Sequence, residues 1–526
     1  MIKQFYFLVV LGLFFLQWMY GKSQENLKNP NFILVYVDDL GWTDTSVAMV
    51  LGNEDSKSDF YQTPFLEAFS KEGLVFSSAY SPAPVCTPSR NSMLHGMTPA
   101  NLWNSVLFDE RAVKNYRGVI TIPQALKQAN ENYRSAHFGK WHISAIKPKV
   151  AGFDVTDGPT GNGEGDYMDD MKTHLPEEDP KRMIELTDKT IQFMENQVEN
   201  DRPFFVQLSH YAVHIWHDSK AETREKYRNL PWGIKSMPID YIPEDQVTEN
   251  AFKHNWLLNY AAMIEEMDAE FGRLLKRVEE LGIKDNTYVI FTSDNGGGLR
   301  GNKPLQGAKG DLAEGGIRVP FIVCGPEVLK SEYVDKPIVG WDLLPTFYEL
   351  AGGTSPLPEE IEGGSIKQYL EKGNLGTIKR GKEALIFHFP WYNGEPETAI
   401  RLGNMKLLKN LDTERCQLFD VVADPSESND LAKRLPEMTR NLERDLTQYL
   451  EDVDAEDVSS LRKGYLARME NSWLPTETKK VKELREKLKN GDKTVSKEVI
   501  RIDGYIEWMK GEILFTKERL IAAGEL

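Results

Sequence analysis

The chain has 526 residues, with 63 lysines and arginines against 80 aspartates and glutamates, for a formal net charge of −17. That length supports one large core with a smaller unit appended, and 40% hydrophobic with 27% charged residues is the composition of a globular protein. So acidic a chain is excluded as a general binder of nucleic acid or anionic membrane, and an anionic substrate would need a local cationic pocket.

Residues 1–22 hold Lys3, an apolar run from Phe5 to Met19, then Gly21. They read as a cleavable signal peptide, because the run is short for a stable membrane span. The expected location is therefore outside the cytoplasm, periplasmic or secreted. The run Phe32-Ile33-Leu34-Val35-Tyr36-Val37 reads as a strand that ends in Asp38-Asp39. At Cys86-Thr87-Pro88-Ser89-Arg90 a lone thiol and an arginine stand at a helix start, with Pro88 suited to the first turn and helix continuing to Leu94. Free backbone N–H groups there would face an anion.

The segment His137-Phe138-Gly139-Lys140-Trp141-His142 follows a further strand and brings a cation and an imidazole two residues apart. Phe204 to Leu208 runs into Ser209-His210, with His214 beyond. Leu257, Ala261, Ile264, Met267, Phe271, Leu274, Val278 and Leu281 mark an amphipathic helix closed by Gly282. Tyr288 to Phe291 then runs into Thr292-Ser293-Asp294-Asn295-Gly296, and a glycine-rich loop after Asn302 carries Lys309 back towards Asp294. Strands alternating with helices predict an α/β fold with a mostly parallel central sheet flanked by helices. Ligands of such sheets bind beyond the carboxyl ends of the strands, where these polar residues fall.

Past residue 375 short strands at 384–389, 398–402, 405–408 and 417–421 predict a small antiparallel sheet. A charged helical tail follows from about Asp452, with Val481, Leu484 and Leu488 on one face. The expected division is 1–22 signal peptide, 28–375 catalytic domain and 376–526 C-terminal subdomain. Cys86, Cys324 and Cys416 are too few for a disulfide framework, although a bridge between the last two stays open. Cys324 reads as a buried strand residue.

Asp38, Asp39, Asp294 and Asn295 converge if their two strands are neighbours. Three carboxylates and an amide form a hard, oxygen-only site, suited to calcium or magnesium and not to zinc. A thiol is a poor ligand for such an ion.

These segments together resemble the type I sulfatases of the alkaline phosphatase superfamily. The resemblance rests on Val37-Asp38-Asp39-Leu40-Gly41, Cys86-x-Pro88-Ser89-Arg90, Gly139-Lys140-Trp141-His142, His214, Ser293-Asp294-Asn295-Gly296 and Lys309 to Pro320. It implies that a formylglycine-generating maturation enzyme oxidises Cys86 to formylglycine. It also implies that Asp38, Asp39, Asp294, Asn295 and the modified Cys86 hold calcium, with magnesium as the alternative. Arg90, Lys140 and Lys309 would grip the sulfate, His214 would protonate the leaving oxygen, and His142 would deprotonate the hydrated aldehyde. Where the family shows Leu-Thr-Gly the chain has Leu94-His95-Gly96, and Trp216-His217 replaces a usual proline after His214. The segments His388-Phe389-Pro390 and Ala399 to Gly403 resemble bacterial carbohydrate sulfatases, which makes Trp216, His217, His388, Trp391 and Arg401 candidate sugar-facing residues. The implied substrate is a sulfated polysaccharide or oligosaccharide. The alternatives are a phosphate or phosphonate monoester hydrolase of the same superfamily, or an inactive glycan-binding protein.

Overall fold

Strand β1 (Asn31–Val37) is buried at every position. A strand with apolar side chains at successive positions must have both faces covered, and fully burying each such side chain is worth roughly 1.5–3 kcal/mol. The computed structural model, which describes residues 29–107, 110–165, 178–215, 217–231, 251–298, 302–391 and 395–526, shows how this is met. Ile33, Val35 and Val37 share one core with helices Pro64–Glu72, Met183–Glu199 and Ala251–Glu280. Phe32, Leu34 and Tyr36 share another with helices Cys86–His95, Ile122–Ala129 and Leu343–Leu350.

The remaining strands are β2 (Leu74–Phe76), β3 (Ala79–Tyr80), β4 (Arg134–Gly139), β5 (Val155–Thr156), β6 (Phe204–Ser209), β7 (Thr287–Ser293), β8 (Phe321–Cys324), β9 (Glu332–Val334), β10 (Ile338–Val339), β11 (Leu385–Phe389), β12 (Glu397–Leu402), β13 (Met405–Asn410) and β14 (Cys416–Asp420). The large sheet runs β5-β4-β6-β1-β7-β8-β2-β9. From β5 to β7 every pairing is parallel, and β8 is antiparallel to both of its neighbours. This is the expected α/β architecture, and β1 and β7, the two strands whose ends carry the acidic pairs, are neighbours.

The second sheet, β11-β12-β13-β14, is antiparallel throughout. Ile386, Ile400, Leu407 and Leu418 face helix Pro436–Asp452, while Leu385, Phe387, Phe389 and Ala399 share a core with Tyr80, Val85, Ile317 and Trp341 of the larger unit. Alternation with period two thus welds the second sheet directly onto the first unit. Helices Leu474–Lys489 and Ser496–Ala522 then pair through Val481, Leu484, Val499, Ile502, Ile506 and Met509.

All three cysteines are free, so the bridge between Cys324 and Cys416 does not form. Cys324 ends its strand half-buried, not in the core, and donates to the Phe69 carbonyl at 3.3 Å. No described helix is long and apolar enough to cross a membrane. The segment 1–22 and Trp216 lie outside the described residues.

Candidate active site

The register explains why distant residues meet. Val37 lies opposite Ser293, Tyr36 opposite Ser209, and Gly139 opposite Ser209, so the chain leaves β1, β4, β6 and β7 at one level. Asp38-Asp39, Lys140-Trp141-His142 and Asp294-Asn295 therefore emerge side by side. Asp39 and His142 both have left-handed backbone, with φ of 63° and 53°. Such conformations are uncommon outside glycine and gather at functional sites. At Gly139 a Cβ would come within 1.9 Å of the Ser209 carbonyl oxygen, so only glycine lets β4 approach β6 here.

Cys86 is the first residue of helix Cys86–His95 and is buried. Its sulfur lies 3.2 Å from His142 Nδ1. One helical turn on, Arg90 directs Nε and Nη2 to Asp294 Oδ2, both at 2.8 Å, and Nη1 to the Lys140 carbonyl at 2.7 Å. Lys140 Nζ meets Asp38 Oδ2 at 2.5 Å. Lys309 Nζ sits 2.6 Å from Asp39 Oδ1, and Asn295 Nδ2 donates to the same oxygen at 2.8 Å. His214 Nε2 is 3.9 Å from Asp39 Oδ2. Sequence positions from 38 to 309 thus occupy one cluster of three carboxylates, three fixed cations, two imidazoles and a thiol.

The cluster is buried, and charge is set by neighbours. Burial works to raise the Asp38 carboxyl, but Lys140, His214, Arg90 and Lys309 outweigh it and hold the group well below the usual carboxylate range. Burial, and then Lys140 and Arg90, push the His142 imidazole down to about 3. Burial takes His214 to about 4. Both rings are therefore neutral near pH 7, so His142 can take a proton and His214 must gain one before it can give it up.

A hard divalent cation fits this donor set. Asp38 Oδ1 and Asn295 Oδ1 are buried without a hydrogen-bond partner, the signature of oxygens that await one. Asp38, Cys86 and Asp294 each bring a donor atom to within 4.8 Å of the others. Oxygen donors suit calcium or magnesium, and an oxygen takes the place of the sulfur only if Cys86 is converted to formylglycine.

A family model described as Sulfatase matches residues 30–353, and a second, described as N-sulphoglucosamine sulphohydrolase, C-terminal, matches 309–456. The chain belongs to the sulfatase family. A protein of Formosa agariphila named Sulfatase is 26% identical, the match spanning 82% of this chain and 90% of that one. The N-acetylglucosamine-6-O-sulfatase of Bacteroides thetaiotaomicron is also 26% identical, over 85% of this chain and 92% of its own length. Among solved structures, Ps i-CgsB in complex with k-i-k-neocarrahexaose superposes with a TM-score of 0.64 at 23% identity, covering 82% of this chain and 94% of that one. A structure in complex with its substrate D-glucosamine-2-N,6-O-disulfate superposes at 0.62 and 20% identity, covering 81% and 98%. At such identities these structures establish the fold alone.

Two candidate sugar-facing residues of this sulfatase are not available to a sugar. His388 is buried, with Nε2 against the Glu456 carbonyl at 2.8 Å. Arg401 is buried with its guanidinium 4.9 Å above the Tyr80 ring and Nε donating to the Gly403 carbonyl at 3.1 Å. Both sit on strands whose two faces are covered, and sequence alternation does not tell a solvent face from a second buried one. His217 is half-buried with its ring edge-on to Tyr260, and Trp391 is half-buried and stacked on Phe389.

The structure adds residues that hold the site without touching it chemically. Thr160 accepts from the Trp141 N–H at 3.0 Å, and its carbonyl accepts from the His142 N–H at 2.8 Å, fixing the Lys140–His142 turn. Asn302 Nδ2 lies within 3.3 Å of the Gly297, Gly307 and Gly315 carbonyls and ties the Lys309 loop together. An isolated threonine and asparagine carry no pattern that would single them out in the letters.

Proposed function

We propose that this sulfatase hydrolyses sulfate esters of a sulfated polysaccharide or oligosaccharide outside the cytoplasm, with residue 86 carried as formylglycine. Asp38, Asp39, Asp294 and Asn295 hold its divalent cation, calcium in the first instance and magnesium as the alternative. The observation that carries the reading is the meeting of Cys86, Arg90, Lys140, His142 and Lys309 with the carboxylate cluster. A phosphate-binding protein would share the cations and carboxylates, but it has no use for a thiol set 3.2 Å from an imidazole at a helix start.

The bound ion would draw charge from the sulfate oxygens, and the hydrated aldehyde would offer a hydroxyl where the gene encodes a thiol. Arg90, Lys140 and Lys309 bind the sulfate oxygens and stabilise the charge that builds as the ester bond breaks. His142 Nδ1, aimed at the side chain of residue 86, takes a proton from that position. His214 and Lys309 have side chains 12% and 21% exposed, so they stand where a sugar can reach. From there they deliver a proton to the departing sugar oxygen.

The carbohydrate class is supported by the relatives, one an N-acetylglucosamine-6-O-sulfatase and another crystallised with a disulfated glucosamine. His217 and Trp391 remain as described candidates to touch the sugar. Export is supported by the apolar run from Phe5 to Met19.

The test is made on protein produced with a formylglycine-generating enzyme. Mass spectrometry of the peptide spanning Cys86 should show the aldehyde, and a panel of sulfated oligosaccharides should yield free sulfate. An intact thiol with no sulfate release, or a strong preference for aryl phosphate over aryl sulfate, would overturn the proposal.

A further inference from the structure

Behind the Lys309 loop lies a buried ionic cluster that the chemistry above does not use. Glu314 opens the short helix Glu314–Ile317 and is wholly buried, as is Lys406 on β13. Lys406 Nζ lies 3.0 Å from Glu314 Oε1 and 2.9 Å from Glu427 Oε1. Glu427 Oε2 accepts from the Glu314 N–H at 2.7 Å, and its carbonyl accepts from Gln306 Nε2 at 3.4 Å. The other Glu314 oxygen takes the Tyr80 hydroxyl at 2.6 Å and Arg318 Nη1 at 3.3 Å.

This cluster is joined to the reacting groups by short backbone links. Gly315 N donates to the Gln306 carbonyl at 2.7 Å and Gly296 N to the Gly316 carbonyl at 2.9 Å, so the Glu314 turn touches both the Lys309 loop and the residue after Asn295. Leu312 N donates to Glu397 Oε2 on β12 at 3.0 Å. Lys309 N and Gly310 N are in turn fixed to the Gly297 and Pro84 carbonyls, at 3.0 and 2.9 Å. The loop that presents Lys309 is thus held from behind by side chains of the second sheet and of the turn after it.

We infer that Lys406 and Glu427 are positioning residues, which lock the Glu314 turn and through it set Lys309 against the sulfate. The second sheet then serves the reaction directly and not only as a wall. Burial alone would lower the Lys406 ammonium, but Glu427 and Glu314 outweigh it and keep it charged, while Lys406, Arg318 and Arg401 hold Glu314 ionised against its own burial. A buried ion pair is a poor source of net stability, but moving one member strands the charge of the other, which makes the pair a geometric constraint.

The inference rests on the proposed role of Lys309 in sulfate ester hydrolysis. Lys406→Met alone would strand two buried carboxylates and risks misfolding, so two gentler variants are used, Glu427→Gln and the charge-balanced double variant K406M/E427Q. Each is made in the matured enzyme and in a Lys309→Ala background, with kcat and KM measured on a sulfated sugar and folding checked by circular dichroism. Misplacement of a catalytic group by about 1 Å costs ~100-fold. The expected result is a ~10- to 100-fold fall in kcat with KM nearly unchanged, shrinking to less than about threefold once Lys309 is absent. Unchanged kcat in a folded variant, or losses that multiply in full with that of Lys309→Ala, would overturn the inference. A matured wild-type enzyme that releases no sulfate would instead count against the proposed function itself.

Discussion

His142 and Cys86 are 56 positions apart in the chain, and in the fold the imidazole Nδ1 lies 3.2 Å from the thiol sulfur. The contact exists because β4 delivers His142 to the level at which the helix carrying Cys86 begins. A proton acceptor in this place should contribute ~10²- to 10⁴-fold to turnover. His142→Gln should therefore lower kcat by that amount in protein whose Cys86 is fully oxidised. Turnover within tenfold of wild type would remove His142 from the reaction.

Metal removal should abolish sulfate release and also lower the melting temperature. Asp38, Asp39 and Asp294 crowd one buried site, and a cation that binds only the folded state stabilises it by mass action. Calorimetry after exhaustive chelation, followed by titration with calcium or magnesium, reads both effects. An unchanged transition would mean that the three carboxylates are satisfied by Arg90, Lys140 and Lys309 alone.

Lys140→Ala should reduce kcat by ~10²- to 10³-fold, the usual effect of removing one donor aimed at developing charge. His214→Gln should behave differently according to leaving group. The loss should be large on a sugar sulfate, whose alkoxide needs a proton, and small on an aryl sulfate with an acidic phenol. Equal losses on both substrates would exclude His214 as the proton donor.

Acid should unfold the protein early. Burial lowers His95 and His388 to about 4 and His137 to about 3. In the unfolded chain each takes a proton near pH 6.5, while the folded chain resists doing so, and stability therefore falls as pH drops from about 6.5 towards 4. His95 donates its Nδ1–H to the Ile120 carbonyl at 2.8 Å and accepts at Nε2 from the Tyr116 hydroxyl at 2.9 Å, so His95→Gln keeps polar partners while removing one titrating group. Urea midpoints across that range should show a shallower acid slope in the variant. An identical slope would mean that His95 is protonated in the folded state.

Gly296→Ala should disturb the site without touching a reacting group. A Cβ there would lie 2.0 Å from the Gly315 carbonyl oxygen, a clash with backbone that cannot swing aside. Overpacking of this kind costs about 1–3 kcal/mol, and it should push Asn295 away from Asp39. The expected outcome is a lower melting temperature together with weaker metal binding, read by titration calorimetry.

Much of the fold was legible because the central strands are short apolar runs bounded by chemically capable residues. Phe32 to Val37 and Tyr288 to Phe291 allow no other economical reading once both faces must be buried. The same simplicity explains the failures. His388 and Arg401 are candidates to face a sugar by residue type, yet His388 lies on the face covered by helix Pro436–Asp452 and meets the Glu456 carbonyl, while Arg401 lies on the face covered by the larger unit, over Tyr80. Cys324 looked fully interior within an apolar run, but the strand ends at it.

The letters alone determined the chemistry on offer: a thiol ahead of Pro88 and Arg90, acidic pairs at strand ends, and lysines in glycine-rich turns. Those follow from local rules, since caps, turns and periodicity act over a few residues. The tertiary structure decided which of these groups meet, because the order β4-β6-β1-β7 is set by long-range packing and not by any local signal. It also decided that Lys406 and Glu427, ordinary surface residues by type, lie buried behind Lys309, where two charges removed from water can be satisfied only by each other and by Glu314.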